Sequence, residues 1–343
     1  QRPPRSTLFP YTTLFRSGIK GGYIRLAELE NSSTCIPHFA KNNADYHVLS
    51  QIHAGLVKLN PQNLEPEPCL ARKWTIDSTA KTYVIFLRTN AYFHNDSCFG
   101  EKLTRKVTAF DVKYTFELIA NKSWNPSHFE GSVDEIEGAT DFYNKPGKYA
   151  GIKGIYVVND SMLRINLSKS NPYFLHKLAQ LNTSILAHEA VEKYGKNCLV
   201  GLGPFYVKDN PTGKDSLILY ANNNFFISDK NSVAYPFLDS LCFYFGVASR
   251  EELNLIKSCN IDFIINLSST YLNEFLEQNI EFFQGSVPLF KITQANDLKD
   301  KYLYNLMRSN IQNLHANSQN FLDLSIVYLK EPEPRGEVSD TTP

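Results

Sequence analysis

The sequence has no surplus of either charge, no long apolar run and little methionine. Its 343 residues carry 35 Lys and Arg against 35 Asp and Glu, whereas nucleic-acid-binding domains usually carry a basic patch and a high pI. The longest apolar runs are Tyr83–Leu87 and Leu241–Phe245, far short of the roughly 18 residues that a membrane-spanning helix needs. These absences argue against a nucleic-acid-binding protein and against a helix that crosses a membrane.

The composition is that of a folded globular protein. Hydrophobic residues make up 43% of the chain and charged residues 20%, which excludes a wholly disordered or collagen-like chain. The length suits about two domains of roughly 150 residues each. With 23 Phe and 19 Tyr but only 2 Met, the cores and any cleft are expected to be rich in aromatic rings.

Motifs for nucleotide binding and nucleophilic catalysis are missing. The segment Gly201–Pro204 lacks the third glycine of a dinucleotide-binding loop and the Lys-Ser/Thr of a phosphate-binding loop. The Gly-x-Ser-x-Gly motif of a nucleophile elbow does not occur. We therefore expect no cofactor and no enzymatic activity, with a hydrolase as the alternative from another functional class.

The histidines and cysteines do not have metal-binding spacing. No His-x-x-x-His pair or Cys-x-x-Cys motif occurs among the eight His and six Cys. Cys242 lies within an apolar run and is predicted to be a buried thiol. If the protein is exported, one disulfide could form, but the sequence leaves the pairing open. The residues concerned are His38, His47, His53 and His94, and Cys35, Cys69, Cys98, Cys198, Cys242 and Cys259.

The beginning of the chain does not resemble a natural coding sequence. The residues Thr7–Ser17 read Thr-Leu-Phe-Pro-Tyr-Thr-Thr-Leu-Phe-Arg-Ser, which resembles the translation of a common sequencing adapter. We expect residues 1–17 to be an artefact without a fold, and the natural sequence to begin near Gly18. A natural Thr- and Phe-rich tail is the alternative.

Hydrophobic periodicity and turn residues predict mixed strands and helices, and therefore an α/β class with antiparallel elements. The predicted strands are Tyr23–Leu29, Thr82–Arg88, Leu238–Phe245 and Ile261–Leu267, with hairpins over Ile155–Leu167 and over Pro204–Lys208 with Ser216–Ala221. The predicted helices are Asp45–Leu56, Thr108–Ala120, one beginning at Asn171-Pro172, Ala187–Tyr194 closed by Gly195, one opening at Ser249, and Tyr271–Glu277. The clearest helix start is a capping box made by Thr108 and Asp111.

Several of these segments carry a combination of short motifs. They are, in order, Gln51–Val57, Glu67–Trp74, Lys81–Arg88, Tyr92–Asp96 and Thr108–Thr115. The combination resembles the extracytoplasmic solute-binding proteins of family 5, which serve peptide and nickel importers of the ATP-binding-cassette (ABC) type. That family shows a Gly-Leu near a helix end, Pro-x-Leu-Ala-x-x-Trp, a Phe-x-Leu-Arg strand, a Phe-His-Asp/Asn-Gly turn and a Thr-Ala-x-Asp-Val helix start in this order.

The resemblance continues downstream and then fades. Gly201–Phe205 resembles the family's Gly-Thr-Gly-Pro-Tyr, Tyr235–Asp239 its Pro-Tyr-Leu-Asp, and Leu253–Phe263 a segment that ends in Gly-x-x-Asp. The resemblance therefore covers about Tyr23 to Phe263. Because family members are close to 500 residues long, we expect the second lobe to be incomplete.

Three residues depart from the family pattern. Asp96 stands where the family usually has Gly, Leu202 replaces a Thr, and Cys259 replaces a Gly. The first change puts the shape of that turn in doubt, and the second removes a hydroxyl that could meet a ligand or brace the loop.

The resemblance implies a periplasmic-binding-protein type II-like fold with two lobes around a cleft. Residues 18–45 and 150–246 would form the core of lobe I, 46–149 its outer subdomain, 247–330 a partial lobe II, and 331–343 a disordered tail. The chain would cross into lobe II at a hinge at Phe245 and Gly246. Closure of the lobes about such a hinge would trap the ligand.

The resemblance also implies the site and the partners. Two segments would face the cleft and bind the ligand: Leu29, Glu30 and Asn31, and Gly201, Leu202, Gly203 and Pro204. The glycines could instead serve only to allow a tight backbone turn. The ligand would be an oligopeptide, held largely through its backbone, and the partners would be the permease subunits of an ABC importer in the membrane.

The expected protein is a monomer outside the cytoplasmic membrane, either lipid-anchored or free in the periplasm, with its signal segment missing from this chain. Two alternatives remain within the family. One is a nickel or metal-chelate binder, for which the four histidines above are the candidates. The other is a truncated fragment that binds nothing.

Overall fold

The computed structural model describes residues 21–264, apart from 61–62, 126–128, 209–213, 229–231, 233 and 258–259. The predictions for residues 1–17, for Tyr271–Glu277 and for residues 331–343 lie outside the described residues. No helix in the described part of the chain is both long and apolar enough to cross a membrane.

Strands and helices alternate in the mixed pattern that the sequence predicts. The strands are β1 (Tyr23–Ala27), β2 (Val57–Leu59), β3 (Pro66–Pro68), β4 (Ala71–Ile76), β5 (Thr82–Leu87), β6 (Ile155–Asn159), β7 (Met162–Asn166), β8 (Phe205–Val207), β9 (Ser216–Ala221), β10 (Ser240–Tyr244) and β11 (Phe263–Ile264). The α-helices are α1 (Asn43–Ile52), α2 (Ala109–Ile119), α3 (Ala139–Asn144), α4 (Phe174–Leu178), α5 (His188–Tyr194) and α6 (Ser249–Lys257).

The main sheet has five strands in the order β11-β1-β10-β9-β8. The strand β1, second in this order, runs parallel to both β10 and β11, whereas β8, β9 and β10 pair antiparallel. One face is covered by α1, since Ile24, Leu241 and Phe243 of the sheet share a buried cluster with Val48 and Ile52. The helix is therefore fixed against the sheet by apolar contacts along its length.

A second sheet has the order β4-β5-β7-β6, and β2 and β3 form a separate pair. The strand β5 lies between β4 and β7, with Tyr83, Ile85 and Leu87 buried on one face. Their side chains belong to the larger of two hydrophobic clusters, which also includes Val112 and Phe116 of α2. The molecule therefore has two cores, and α1 supplies residues to the smaller one.

Two helices begin at residues other than the predicted ones, and in both cases an asparagine side chain near the start accepts a backbone N–H. The helix α1 begins two residues before the predicted Asp45, because Oδ1 of Asn42 accepts the N–H of Asp45 at 2.9 Å and caps the helix. By contrast, α4 begins after the predicted Asn171, because Oδ1 of Asn171 accepts the N–H of Tyr173 at 2.8 Å and forms a turn before the helix.

The sheet continues past the predicted crossing at Phe245 and Gly246. The residues of α6 lead to β11, which pairs with β1. Next to this pair, the carboxylate of Asp262 accepts the N–H of Arg25 at 2.7 Å. The described residues thus stay with one sheet through Ile264, so the expected boundary between the lobes at residue 246 is not marked in the sheet and stays a prediction.

Arg105 links three segments of the larger core. Its guanidinium contacts the carboxylates of Asp111 on α2 and Glu189 on α5, with both Nη2–oxygen distances at 2.6 Å. The same group lies over the rings of Phe93 and Phe99, at 5.1 and 5.5 Å from their centres. Two carboxylates and two aromatic rings therefore hold one planar cation, a role that suits arginine and not lysine.

We expect Arg105→Lys to lower the free energy of unfolding by about 1–3 kcal/mol, because lysine cannot make the paired contacts to both carboxylates. The matched control is Lys145→Ala, which removes an ion pair with Asp141 whose side chains are 51% and 62% exposed. That change should cost less than about 0.5 kcal/mol. Urea denaturation of both variants measures the difference, and equal losses would contradict this assignment.

Candidate functional site

The segment after β1 leaves the sheet with its backbone exposed. Leu29, Glu30 and Asn31 are all exposed. The preceding residue, Glu28, is held by backbone hydrogen bonds to Tyr244 at 2.8 Å and to Val247 at 3.0 Å. In the part of the chain that the structure describes, the backbone groups of Leu29 and Glu30 make no hydrogen bond. We call Leu29–Asn31 the β1 loop.

A buried carboxylate on α1 fixes the chain just beyond the β1 loop. Asp45, which is fully buried, accepts the N–H and the hydroxyl of Ser33 at 2.6 and 2.7 Å. It also accepts from Ser32, Thr34 and the backbone of Lys41 at 3.1–3.3 Å. Its place in the first turn puts the charge at the positive end of the helix dipole. The β1 loop is therefore anchored to the N-terminus of α1.

The predicted hinge lies beside the β1 loop. Gly246 has a φ of +68°, a conformation that favours glycine. A Cβ at this position would lie 3.3 Å from Oδ1 of Asn31. Phe245 is buried, and its N–H donates to the carbonyl of Asp215 at 2.8 Å. The structure thus brings together the first predicted ligand segment and the residues predicted to form the hinge.

Three buried titratable groups meet at Glu28, the residue before the β1 loop, and of these the sequence analysis named His47 as a candidate nickel ligand. Nδ1 of His47 lies 2.7 Å from Oε1 of Glu28, and both side chains are about 6% exposed. Glu252 of α6 is also buried, and its pKa is raised to about 7 by burial and by the nearby charge of Glu28. Glu28 directly follows β1, whereas His47 lies on α1 and Glu252 on α6, so no local motif indicated that they would meet.

The second predicted segment lies at the other end of α1. Gly201, Leu202, Gly203 and Pro204, which we call the glycine loop, are all buried. The N–H of Gly203 donates to the carbonyl of Ile52, the last residue of α1, at 2.8 Å. A Cβ on Gly201 or Gly203 would overlap the backbone of Gln51 and Ile52. Both glycines therefore allow a close approach of two backbones.

The two predicted ligand segments do not meet in the described residues. The β1 loop lies at the N-terminus of α1 and the glycine loop at its C-terminus, and a helix of ten residues spans about 15 Å. Leu202, which replaces a threonine of the family pattern, is fully buried and belongs to the larger hydrophobic cluster. A ligand role for the glycine loop stays a prediction.

The glycine loop is held by the histidine of the Phe-His-Asn motif. The N–H of His94 donates to the carbonyl of Gly201 at 2.8 Å, and Nε2 lies 2.9 Å from the carbonyl of Gly203. Since a carbonyl can only accept, Nε2 carries the proton. Burial lowers the pKa of His94 to about 4, and burial with the nearby His94 and His38 lowers the pKa of His53 to about 3.

Asp96, which replaces a glycine of the family pattern, shapes the next turn. Its Oδ1 accepts the N–H of Cys98 at 2.7 Å and the hydroxyl of Tyr194 at 2.8 Å. The first of these bonds caps the short 3-10 helix Ser97–Lys102. The departure from the family pattern therefore supplies a helix cap and a contact to α5.

The cysteines and histidines do not form a metal site in the described residues. No group of three or more His, Cys, Asp or Glu side chains is arranged to hold a metal ion in that part of the chain. Cys35, Cys69, Cys98, Cys198 and Cys242 form no disulfide within the described residues, and Cys259 lies outside those residues. Cys242, predicted to be buried, is partly exposed on β10.

The buried histidines predict an acid-sensitive fold. Because the pKa of His53 and of His94 lies below the ordinary value of 6.5, the unfolded chain binds more protons than the folded chain below that pH. The free energy of unfolding should therefore fall as the pH drops from about 6.5 towards 4. Urea denaturation across this range measures the slope.

Two variants test whether His94, which hydrogen-bonds to the glycine loop, causes this dependence of stability on pH. His94→Gln removes one titrating ring and should flatten the dependence of stability on pH below 6.5. Asn144→Ala, at an exposed position of α3 that does not titrate, provides the control and should leave the slope unchanged. Equal slopes in His94→Gln and the original chain would contradict the assignment.

Comparison with known proteins identifies the family. Residues 65–298 match the model described as bacterial extracellular solute-binding proteins, family 5 Middle. The dipeptide-binding protein DppE of Bacillus subtilis is 29% identical over 184 residues, which are 51% of this chain and 32% of that protein. The heme-binding protein A of Haemophilus influenzae is 30% identical over 185 residues, again 51% of this chain and 32% of that protein.

A solved structure shows the fold. The ABC transporter-associated periplasmic binding protein DppA of Helicobacter pylori, in complex with the peptide STSA, superimposes with a TM-score of 0.64 at 21% identity. The structural match covers 80% of this chain and 52% of that one, so this chain spans about half the length of the solved structure. The sequence matches cover about a third of the length of each of the two relatives above. The predicted type II periplasmic-binding-protein fold is confirmed. The chain belongs to the bacterial extracellular solute-binding proteins of family 5.

Proposed function

We propose that this chain is part of a binding protein that captures oligopeptides in a cleft between two lobes and delivers them to the permease of an ABC importer. The observation that carries the proposal is the exposed β1 loop, where the backbone groups of Leu29 and Glu30 make no hydrogen bond within the described residues. Such groups directly follow a strand and can pair with an added extended chain.

An extended peptide suits this loop better than a ligand recognised by side chains. Backbone groups offer the same donors and acceptors whatever the ligand's side chains are, so one loop can accept many peptide sequences. Two of the similar proteins above are named for a dipeptide or contain a bound peptide, which supports this substrate class.

The remaining parts of the proposal concern location and motion. The mature protein would act outside the cytoplasmic membrane, lipid-anchored or free in the periplasm, as a monomer. Phe245 and Gly246 would form the hinge between the lobes, since Gly246 has a positive φ and lies beside Asn31 of the β1 loop. The glycine loop would shape the cleft indirectly, by holding the C-terminus of α1.

Calorimetric titration of the full chain tests the substrate class. We expect heat and thermal stabilisation with a pool of short peptides, and neither with nickel(II) chloride, a nickel–histidine chelate or heme. Binding of nickel alone would favour the alternative of a nickel or metal-chelate binding protein. Binding of heme alone would favour heme binding, for which one relative is named. If no probe produces heat, the chain is a truncated fragment that binds nothing.

A pair of glycine variants tests the site. Gly246→Ala should weaken peptide binding about fivefold, or about 1 kcal/mol, because its Cβ lies 3.3 Å from Oδ1 of Asn31 and displaces the β1 loop. Gly147→Ala is the matched control, since Gly147 also has a positive φ of +78° but a Cβ there meets nothing within 4 Å.

Both variants should lose similar stability, about 1 kcal/mol, because both force a side chain into the left-handed region. Only Gly246→Ala should change the dissociation constant for the peptide. Unchanged peptide affinity in Gly246→Ala would show that the β1 loop and the hinge are not part of the binding site.

A further inference from the structure

A concave surface lies at the glycine-loop end of α1. It is a groove of about 660 Å³ between the segment 90–95 and the segment 221–226 that follows β9. The volume is within the range of about 300–1,000 Å³ that small-molecule sites occupy. The groove is lined by Asn90, Tyr92, Phe93, His94, Asn95, Thr104, Tyr206, Ala221, Asn222, Asn223, Asn224, Phe225 and Phe226.

The lining has no charged side chain. Five of its residues are asparagines and five are Phe or Tyr, and the set includes no Lys, Arg, Asp or Glu. His94 is uncharged at neutral pH, because burial lowers its pKa to about 4. The ammonium of Lys106 lies 5.9 Å from the ring centre of Tyr92 but is not part of the lining.

Both sides of the groove are hydrogen-bonded to the glycine loop. Nδ2 of Asn222 donates to the carbonyl of Gly203 at 3.0 Å, and its backbone N–H donates to the carbonyl of Pro204 at 2.8 Å. The same Gly203 carbonyl accepts Nε2–H of His94 at 2.9 Å. The ring of His94 lies 6.1 Å from that of Tyr206. These contacts fix both walls of the groove relative to each other.

The rim offers polar groups that the fold does not use. Asn90, Asn95 and Asn223 are exposed, and their side chains make no hydrogen bond within the described residues. Each amide presents two donors and an acceptor, which can pair with neighbouring hydroxyls. The ring of Tyr92 is 36% exposed at the same rim and offers a flat apolar face.

We propose that this groove binds a neutral mono- or disaccharide. A sugar ring has hydroxyls around its edge for the asparagine amides and an apolar face for the aromatic rings. A short peptide with free termini, or an anion, would place charges in a lining that has none to pair with them. The groove and the β1 loop lie at opposite ends of α1, so this site does not depend on the peptide site proposed above.

The test is a saturation-transfer NMR experiment on the full chain with maltose, lactose, sucrose and N,N′-diacetylchitobiose at millimolar concentration. We expect at least one of the four to bind. Tyr92→Ala and Asn95→Ala should each weaken that binding about tenfold, whereas peptide binding should be unchanged in both variants.

Two exposed residues provide matched controls. Tyr149 is 38% exposed and has the ammonium of Lys148 at 5.7 Å from its ring centre, which closely matches Tyr92 with Lys106. Asn144 is exposed on α3, away from the lining. Tyr149→Ala and Asn144→Ala should leave sugar binding unchanged. Absence of saturation transfer to all four sugars, or sugar binding that survives Tyr92→Ala and Asn95→Ala, would overturn the proposal.

Discussion

The arrangement of this molecule depends on one buried carboxylate, that of Asp45. It is fully buried in the first turn of α1, and the described contacts to it are hydrogen bonds from Ser32, Ser33, Thr34 and Lys41. A buried charge is costly unless hydrogen bonds satisfy it, so the carboxylate and the chain around it order each other. As a result, the segment that leaves the sheet after β1 has a fixed path over the helix N-terminus, and the β1 loop stays exposed.

The same helix separates two surfaces with different chemistry. At its N-terminus, exposed backbone groups of the β1 loop adjoin Gly246. At its C-terminus, the glycine loop packs against Ile52 and carries a groove lined by amides and aromatic rings. The carbonyl of Gly203 accepts from both His94 and Asn222. A helix of about three turns thus places the surface proposed to bind a peptide and the groove proposed to bind a sugar about 15 Å apart.

The sequence predicted those parts of the fold that local chemistry determines. The capping box of Thr108 and Asp111 opens α2 as expected, and Gly195 closes α5. The start of α1 was missed because the cap is Asn42, three residues before Asp45; the Asn-x-x-Asp spacing is a capping signal that could have located it.

The site was harder to predict because its residues are distant in the sequence. The family resemblance named the β1 loop as a ligand segment and Gly246 as a hinge residue, and only the structure shows that the two lie side by side. It could not show that Glu28, His47 and Glu252 meet, or that Asn95 and Asn223 face one groove, since each set is assembled by strand pairing and burial over long separations.

The most direct test of the account is amide hydrogen exchange of the full chain with and without a bound peptide. The amides of Leu29 and Glu30 should exchange rapidly in the free chain, because they make no hydrogen bond within the described residues. They should become protected when the peptide binds, whereas the amide of Gly203, already bonded to Ile52, should not change. Peptide binding that leaves Leu29 and Glu30 unprotected would contradict the central claim that this loop is the ligand contact.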